Sequence, residues 1–337
     1  MGTWLEPQDG DLDVLEGKQA LVLGYGNQGR AFALNLRDSG LFENVRVWVR
    51  PGGPSYSRAE SDGFEVVDET DLGTSDLLLC LLPDAVHEEV LGRLVEPRLR
   101  ASGRRAGLCV AHGFSLVSSS LGERVRRAPW GDVVLVAPVA PGEEVRSAFL
   151  EGRGVPAYVG VWRDESGEAL RLARALGHAL GFSRAGMLKA SIRDEVVVDL
   201  FGEQAVVCGG VEWLVRRAFD TLVQAGYSPE MAFLECVHQL KYLAELVHRN
   251  GLEGMRDRVS EVAYYGALTR GPRVIDSQVA RTMAEILDEI ESGAFQKELQ
   301  SIEVRELSTR REGEDGLIER TGREVRERIF RGNRHHV

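Results

Sequence analysis

Short apolar runs alternate with amphipathic stretches through the first half of the chain. "QALVLGYG", "VRVWVR", "FEVVD", "DLLLCLLP", "AGLCVAHG", "DVVLVAP" and "VPAYVGVW" read as strands, several of them apolar on both faces. Between them, "QGRAFALNLRDSG", "AVHEEVLGRLV" and "SGEALRLARALGHALG" carry apolar residues at three- and four-residue spacing, the period of one helix face. Strands apolar on both sides and separated by helices predict a parallel sheet with helices on both faces. From about Lys189 the strand signals stop, and long helical patterns with glycine stops take over, such as "RDEVVVDLFGEQAVVCGGVEWLVRRAFDTLVQAG" and "SPEMAFLECVHQLKYLAELVHRNG". The pattern predicts an α/β Rossmann-type domain over residues 1–188 and an all-α domain over 189–337. The Arg- and Glu-rich end, from about residue 305, reads as a polar tail or solvated helix.

Composition narrows the class without changing this picture. A chain of 337 residues, 43% hydrophobic and 28% charged, suits two soluble globular domains. The net charge of −11 argues against nucleic acid or an anionic membrane as main partner. No apolar run reaches the roughly 18–20 residues that span a bilayer. The acidic start "MGTWLEPQDGDLDVLEG" lacks a basic-then-apolar signal, and Glu6 spoils the myristoylation pattern that Met-Gly begins. Cys80, Cys109, Cys208 and Cys236 are scattered, mostly in apolar runs, as in a reduced cytoplasmic protein.

Candidate chemistry starts at the first strand. Gly24-Tyr25-Gly26-Asn27-Gln28-Gly29 is a GxGxxG between a strand and a helix, the first βα turn of an alternating pattern. Gly24 would permit the tight turn, Gly26 the approach of a pyrophosphate, and Gly29 close packing of helix on strand. An NAD site usually places Asp or Glu at the end of the second strand. Here "VRVWVRPGGPSYSR" offers Arg50 and then Ser55, a cation and a hydroxyl suited to a 2′-phosphate, so NADPH is favoured over NADH.

The helical half adds carboxylates. Asp199 and Glu203 in "VVVDLFGEQAVVCGG" stand four apart among apolar neighbours, on one helix face. Two hard oxygen ligands one turn apart suit Mg²⁺. An acidic pair at this spacing is more often a solvated face, but the apolar context argues for a cation. Glu235 and Gln239 repeat the spacing on a second helix.

The residues now in hand resemble the short, class I ketol-acid reductoisomerases, from about residue 12 to residue 295. The resemblance rests on "GYGNQG", "RPGGPSY", "DGFEVVD", "LLPD", "AHGF", "VAP" followed by "PG", "DLFGEQAVVCGG", "AGYSPEMAFLEC" and "GPR", in that order. It implies reduction and rearrangement of 2-acetolactate or 2-aceto-2-hydroxybutyrate with NADPH and Mg²⁺, in branched-chain amino acid biosynthesis. It places His112 beside the nicotinamide, and Tyr25 to Gln28, Arg50, Ser55, Pro83, Asp84 and Gly142 at the NADPH contacts. Asp199, Glu203 and Glu235 fall on metal ligands, with Gln239 and Ser260 on substrate positions. The second helix of the site belongs to the partner subunit in this family, which implies a homodimer. The resemblance also implies a knotted helical domain.

Two departures fall in the chemical centre. The family's loop lysine is Val139 here, in "VAPVAPGEE", and the second helix has Glu235 but Gln239 where a second glutamate is usual. Glu143 and Glu144 also replace a His-Leu pair, and Gly53 replaces a serine. A loop lysine helps stabilise oxyanions that develop as an alkyl group moves, and such a group is typically worth about 10²–10³ in rate. An amide cannot serve as a base at neutral pH. Lys189 and Arg146 are the cations that could stand in. The expectation is a reductase of a 2-keto acid, a related carbonyl or an imine, without the isomerase step, in specialised metabolism. One Mg²⁺ is expected where the family has two. The alternatives are a true ketol-acid reductoisomerase, marked by turnover of acetolactate, and a non-catalytic NADPH-binding homologue, marked by binding without turnover.

Overall fold

The computed structural model describes residues 2–6, 8, 11–302 and 316–330. The polar tail expected from about residue 305 lies outside the described residues at 305–315 and 331–337, while Leu317–Phe330 between them is a helix. The chain divides into two compact bodies, Met1–Val198 and Asp199–Val337, with the border inside the helix Ile192–Gly202.

The first body is built on eight strands: β1 (Thr3–Leu5), β2 (Gln19–Leu23), β3 (Asn44–Trp48), β4 (Leu77–Cys80), β5 (Ala106–Val110), β6 (Trp130–Pro138), β7 (Ala157–Arg163) and β8 (Met187–Lys189). They pair in the order β1-β8-β7-β6-β5-β4-β2-β3. The strands β2 to β6 are mutually parallel, as strands apolar on both faces require: Leu77, Leu78, Leu79 and Cys80 are all buried. One apolar layer gathers Phe32, Leu36, Leu172, Leu176 and Phe182, and the other gathers Leu91, Val95, Leu99, Leu121 and Trp130. Both faces of the sheet are therefore covered.

Three features depart from the expected all-parallel sheet, the first being that the short edge strand β1 pairs antiparallel with β8. The run "FEVVD" forms only a single bridge, Val66 beside Val47, because the chain turns away again at residues 69–71. Strand β7 runs antiparallel to β6, with Pro138 opposite Ala157. The cause is the connection: it rises through the helix Gly142–Leu150 and returns to the edge it left, where the Val139 amide donates to the Pro156 carbonyl. The strand therefore enters from the end at which β6 finished.

The helical body contains the helices Gly209–Gln224, Leu240–Arg256, Glu261–Val274, Ser277–Ser292 and Leu317–Phe330, among others. Its fully buried apolar cluster is small, formed by Phe219, Ala232, Phe233 and Val325. Large apolar side chains including Val207, Trp213, Tyr242, Val262 and Tyr265 remain exposed. Among the described residues no helix is long and apolar enough to cross a membrane.

A polar clasp holds the first helix of the sheet body. Asp62 accepts hydrogen bonds from the Tyr25 hydroxyl at 2.8 Å and from the Arg30 guanidinium at 2.7 and 3.0 Å. The Arg30 guanidinium, helped by the Tyr25 hydroxyl, holds the Asp62 carboxyl below its usual range despite partial burial. A carboxyl depressed on folding stabilises the fold above its unfolded-state pKa, and that contribution fades as pH falls through the folded value. Asp62→Asn is therefore expected to cost about 1 kcal/mol at neutral pH and nothing in strong acid. Denaturant titrations at the two pH values check this, and an equal loss at both would refute it.

Candidate functional site

The site is assembled along one edge of the sheet. Leu23 of β2 pairs with Cys80 of β4, Cys80 with Val110 of β5, and Val110 with Leu135 of β6. Gly24, Asp84, His112 and Val139 therefore all leave the sheet within a few residues of the same carboxyl edge. Between β2 and β4 the chain's course reverses, since β3 lies on one side of β2 and β4 on the other. Open α/β sheets bind ligands in the crevice at such a point.

The glycine turn is backbone packed against backbone. A Cβ built on Gly29 would lie 2.3 Å from the Gly24 carbonyl oxygen, and one on Gly24 would lie 2.8 Å from the Leu81 carbonyl oxygen. Gly24 also has φ +97°, where side chains are strained. Gly26 differs: its φ is −75° and a Cβ there would meet nothing. It heads the helix Asn27–Ser39 with no side chain to cap the first amides. That leaves donors and the positive end of the helix dipole facing open space, as a pyrophosphate requires. Tyr25 is buried against Phe64, with its hydroxyl on Asp62, so its backbone is what it offers a nucleotide.

The loop after β6 leans on this turn. The Gln28 side-chain amide donates to the Ala140 carbonyl at 2.8 Å, and a Cβ on Gly142 would lie 2.3 Å from the Asn27 carbonyl oxygen. The other amide atom of Gln28, Oε1, is buried without a hydrogen-bond partner. Val139 sits on the same loop with 57% of its surface exposed. Arg146 is held by Asn35 at 2.8 Å and by Asp38 on the helix Asn27–Ser39. Lys189, the other candidate replacement cation, ends β8, opposite Val159 and Thr3.

His112 is oriented by a residue the sequence reading passed over. Glu195, only 2% exposed, accepts from His112 Nδ1 at 2.9 Å and from the Gly113 amide at 3.0 Å. The helix Ile192–Gly202 runs unbroken from Glu195 to Asp199, and one ligand atom each of His112, Glu195 and Asp199 lies within 4.8 Å of the others. The spacing could have revealed it: Glu195, Asp199 and Glu203 recur every four residues through an apolar helix. Asp84 accepts from the Ser115 amide at 3.2 Å, on the turn that follows His112.

The other predicted residues are spread over several elements. Arg50 is exposed, in the turn between β3 and the helix Pro54–Ser61, whose first turn holds Ser55 and whose N-cap, Gly53, has no capping side chain. In the helical body, Glu203 opens a wide π-turn, Glu203–Val207, and Glu235 lies in another, Leu234–His238. Such turns concentrate at functional positions. Gln239 donates its side-chain amide to Glu235. Ser260 caps the helix Glu261–Val274 by accepting from the Ala263 amide at 3.2 Å. Pro83 precedes Asp84 as the residue before a short helical turn.

An open α/β sheet with a glycine turn at its switch point, followed by a helical body, defines a dinucleotide-dependent oxidoreductase. The comparisons narrow the class. Residues 14–186 match the family model of the acetohydroxy acid isomeroreductase NADPH-binding domain, and residues 192–330 match that of the ketol-acid reductoisomerase C-terminal domain. The chain belongs to the ketol-acid reductoisomerase family, as a short-form member. It is similar to an NADH-preferring ketol-acid reductoisomerase from an uncultured archean, with 38% identity, 96% of this chain and 98% of that chain covered, and a TM-score of 0.87. A semialdehyde dehydrogenase NAD-binding protein from Cupriavidus necator shares the fold alone, at 16% identity, 82% and 99% coverage and a TM-score of 0.58. So does 1-pyrroline-5-carboxylate reductase from Streptococcus pyogenes, at 13% identity, 82% and 99% coverage and a TM-score of 0.52.

Two outcomes follow from this geometry. Gly26→Ala should leave the melting temperature nearly unchanged yet weaken NADPH binding by about tenfold or more, because its methyl fills the pyrophosphate's space. Unchanged affinity in a fluorescence titration would count against the turn as the phosphate seat. Glu195→Gln should cost turnover by about tenfold or more with little change in NADPH affinity, since the amide has one oxygen and cannot accept from both His112 and the Gly113 amide as the two carboxylate oxygens do. Wild-type turnover would remove Glu195 from the site.

Proposed function

We propose that this chain is an NADPH-dependent reductase of a 2-keto acid, a related carbonyl compound or an imine, and that it has lost the alkyl-migration step of its family. The observation that carries the reading is Val139. Its loop keeps its seat on the cofactor turn through Gln28, Ala140 and Gly142, yet it presents methyl groups to solvent where the family pattern has a lysine. Migration develops charge on the substrate oxygens and depends on fixed cations to stabilise it. Arg146, engaged with Asn35 and Asp38, is committed elsewhere.

Hydride transfer asks less of the protein. The cofactor supplies the hydride, and the chain must hold it, orient the acceptor and deliver one proton. Glu195 accepts the Nδ1 proton of His112, so Nε2 is the nitrogen that would exchange a proton with the substrate's oxygen or nitrogen. One carbonyl, one hydride and one proton give one alcohol; an imine gives an amine by the same count.

NADPH is supported by the residues after β3. Arg50 and Ser55 stand beside the uncapped start of the helix Pro54–Ser61, and Trp48, Val49 and Arg50 supply no carboxylate at the strand's end. A cavity of about 380 Å³ opens beside them, lined by Trp48, Val49, Tyr56, Asp68, Glu69 and Arg98 among others. The 38%-identical relative is NADH-preferring.

Mg²⁺ fits the donor set of Asp199 and Glu203, hard carboxylates four residues apart, completed in a homodimer by the partner subunit's Glu235. When bound, the ion would polarise the substrate's carbonyl oxygen. The exposed Trp213, Tyr242, Val262 and Tyr265 of the helical body support association with a second copy.

The test is NADPH consumption by the purified chain, with and without Mg²⁺. We expect turnover of 3-hydroxy-3-methyl-2-oxobutanoate, a simple 2-keto acid or an imine, and none of 2-acetolactate. Comparable turnover of 2-acetolactate would overturn the proposal and restore the full family reaction. The Val139→Lys, Gln239→Glu double variant should gain acetolactate turnover of about tenfold or more over background.

A further inference from the structure

We propose that His87 is a positioning residue of the dinucleotide site, whose neutral imidazole clamps the loop after β4 to the turn that carries His112. The inference rests on reading the carboxyl edge of the sheet as the NADPH site. His87 is only 3% exposed, so both ring nitrogens must find partners within the protein. Nε2 lies 2.9 Å from the Leu82 carbonyl and Nδ1 lies 2.6 Å from the Ser115 hydroxyl. A carbonyl only accepts, so Nε2 carries the proton and Nδ1 accepts from Ser115. The tautomer is fixed by its neighbours. Burial also disfavours the protonated ring, against the pull of the nearby Asp84 carboxylate.

The clamp joins two strand ends. Leu82 and Asp84 follow β4, and Ser115 comes two residues after Gly113, whose own amide is on Glu195. The bond from Ser115 N–H to Asp84 Oδ1 at 3.2 Å runs beside the imidazole and closes the same link a second time. His87 thus sets the spacing between Asp84, on the switch-point side of the crevice, and His112, one strand further along. Helix Phe114–Ser118 is short, and its hold on this loop runs through Ser115.

Serine, histidine and aspartate in contact invite a hydrolytic reading, which the geometry refuses. A catalytic relay needs the serine on one ring nitrogen and the carboxylate on the other. Here Asp84 approaches Nδ1, the nitrogen already taken by Ser115, at 3.7 Å, while Nε2 is spent on a carbonyl. Ser115 is itself 4% exposed, out of a substrate's reach. The trio is a fastener.

The test uses the full chain with His87→Leu and His87→Gln, and reads NADPH affinity by fluorescence titration alongside melting temperature. Leucine fills the space and makes no hydrogen bond. Glutamine offers an NH₂ donor and a C=O acceptor, one group for each function of the neutral ring. We expect His87→Leu to weaken NADPH binding by about tenfold and His87→Gln to stay within about threefold of wild type. Wild-type affinity in the leucine variant overturns the clamp, even if its melting temperature falls, because that is what a merely structural histidine would give. Equal weakening in both variants overturns it too, since the hydrogen bonds would not be the cause. A wild-type chain that binds no NADPH is a separate outcome, and it overturns the site reading together with the clamp.

Discussion

Where β2 gives way to its helix, main chain lies on main chain, and three missing side chains permit it. Gly29 rests on the Gly24 carbonyl, Gly24 on the Leu81 carbonyl, and Gly142 on the Asn27 carbonyl, each closer than a Cβ would allow. These contacts tie the turn after β2 to the chain that leaves β4 and β6, both on one side of it. The crevice at the switch point is thus a rigid arrangement of backbone, with donors at the head of the helix Asn27–Ser39 aimed into it. Side chains then add chemistry to a geometry they do not have to create.

That separation makes Val139 informative. The course of its loop is fixed by the Val139 amide on the Pro156 carbonyl, by Gln28 on the Ala140 carbonyl, and by Gly142 packing on Asn27. None of these contacts uses the side chain at position 139. A lysine or a valine can therefore stand there with the same backbone, and the difference between them is one of electrostatics. The fold keeps the loop in place whichever side chain stands at 139.

How much of this was legible in the chain follows from the range of each interaction. Strands such as "DLLLCLLP" announce themselves because burial on both faces removes every polar position. The glycine turn is legible because its constraint is local: a positive φ and a close approach exclude side chains within six consecutive residues. The direction of β7 was not, since it depends on where the connection through Gly142–Leu150 returns, a matter of tertiary packing. Strands β1 and β8 are three residues each and stabilise one another across the whole first body, too short for any pattern. Glu195 was within reach, yet a single carboxylate in a helix carries no sign of the histidine 83 positions earlier that it accepts from. His87 hid in the same way, its two partners lying on different strand ends.

The two departures from the family pattern make sense as a pair. Two glutamates at 235 and 239 would repel one another, and like charges at that spacing are tolerated only where a cation answers them. The glutamine does what a glutamate cannot, donating its amide to Glu235 and satisfying the carboxylate from within its own helix. Demand for positive charge at that helix falls by one. Replacing the loop lysine by Val139 removes one unit of supply. Counted over the three positions, the formal charge is the same with Lys, Glu and Glu as with Val, Glu and Gln. Passing a substrate one hydride and one proton asks less of such charges than moving a carbon group between two oxygen-bearing carbons does, which is the physical ground of the reductase proposal.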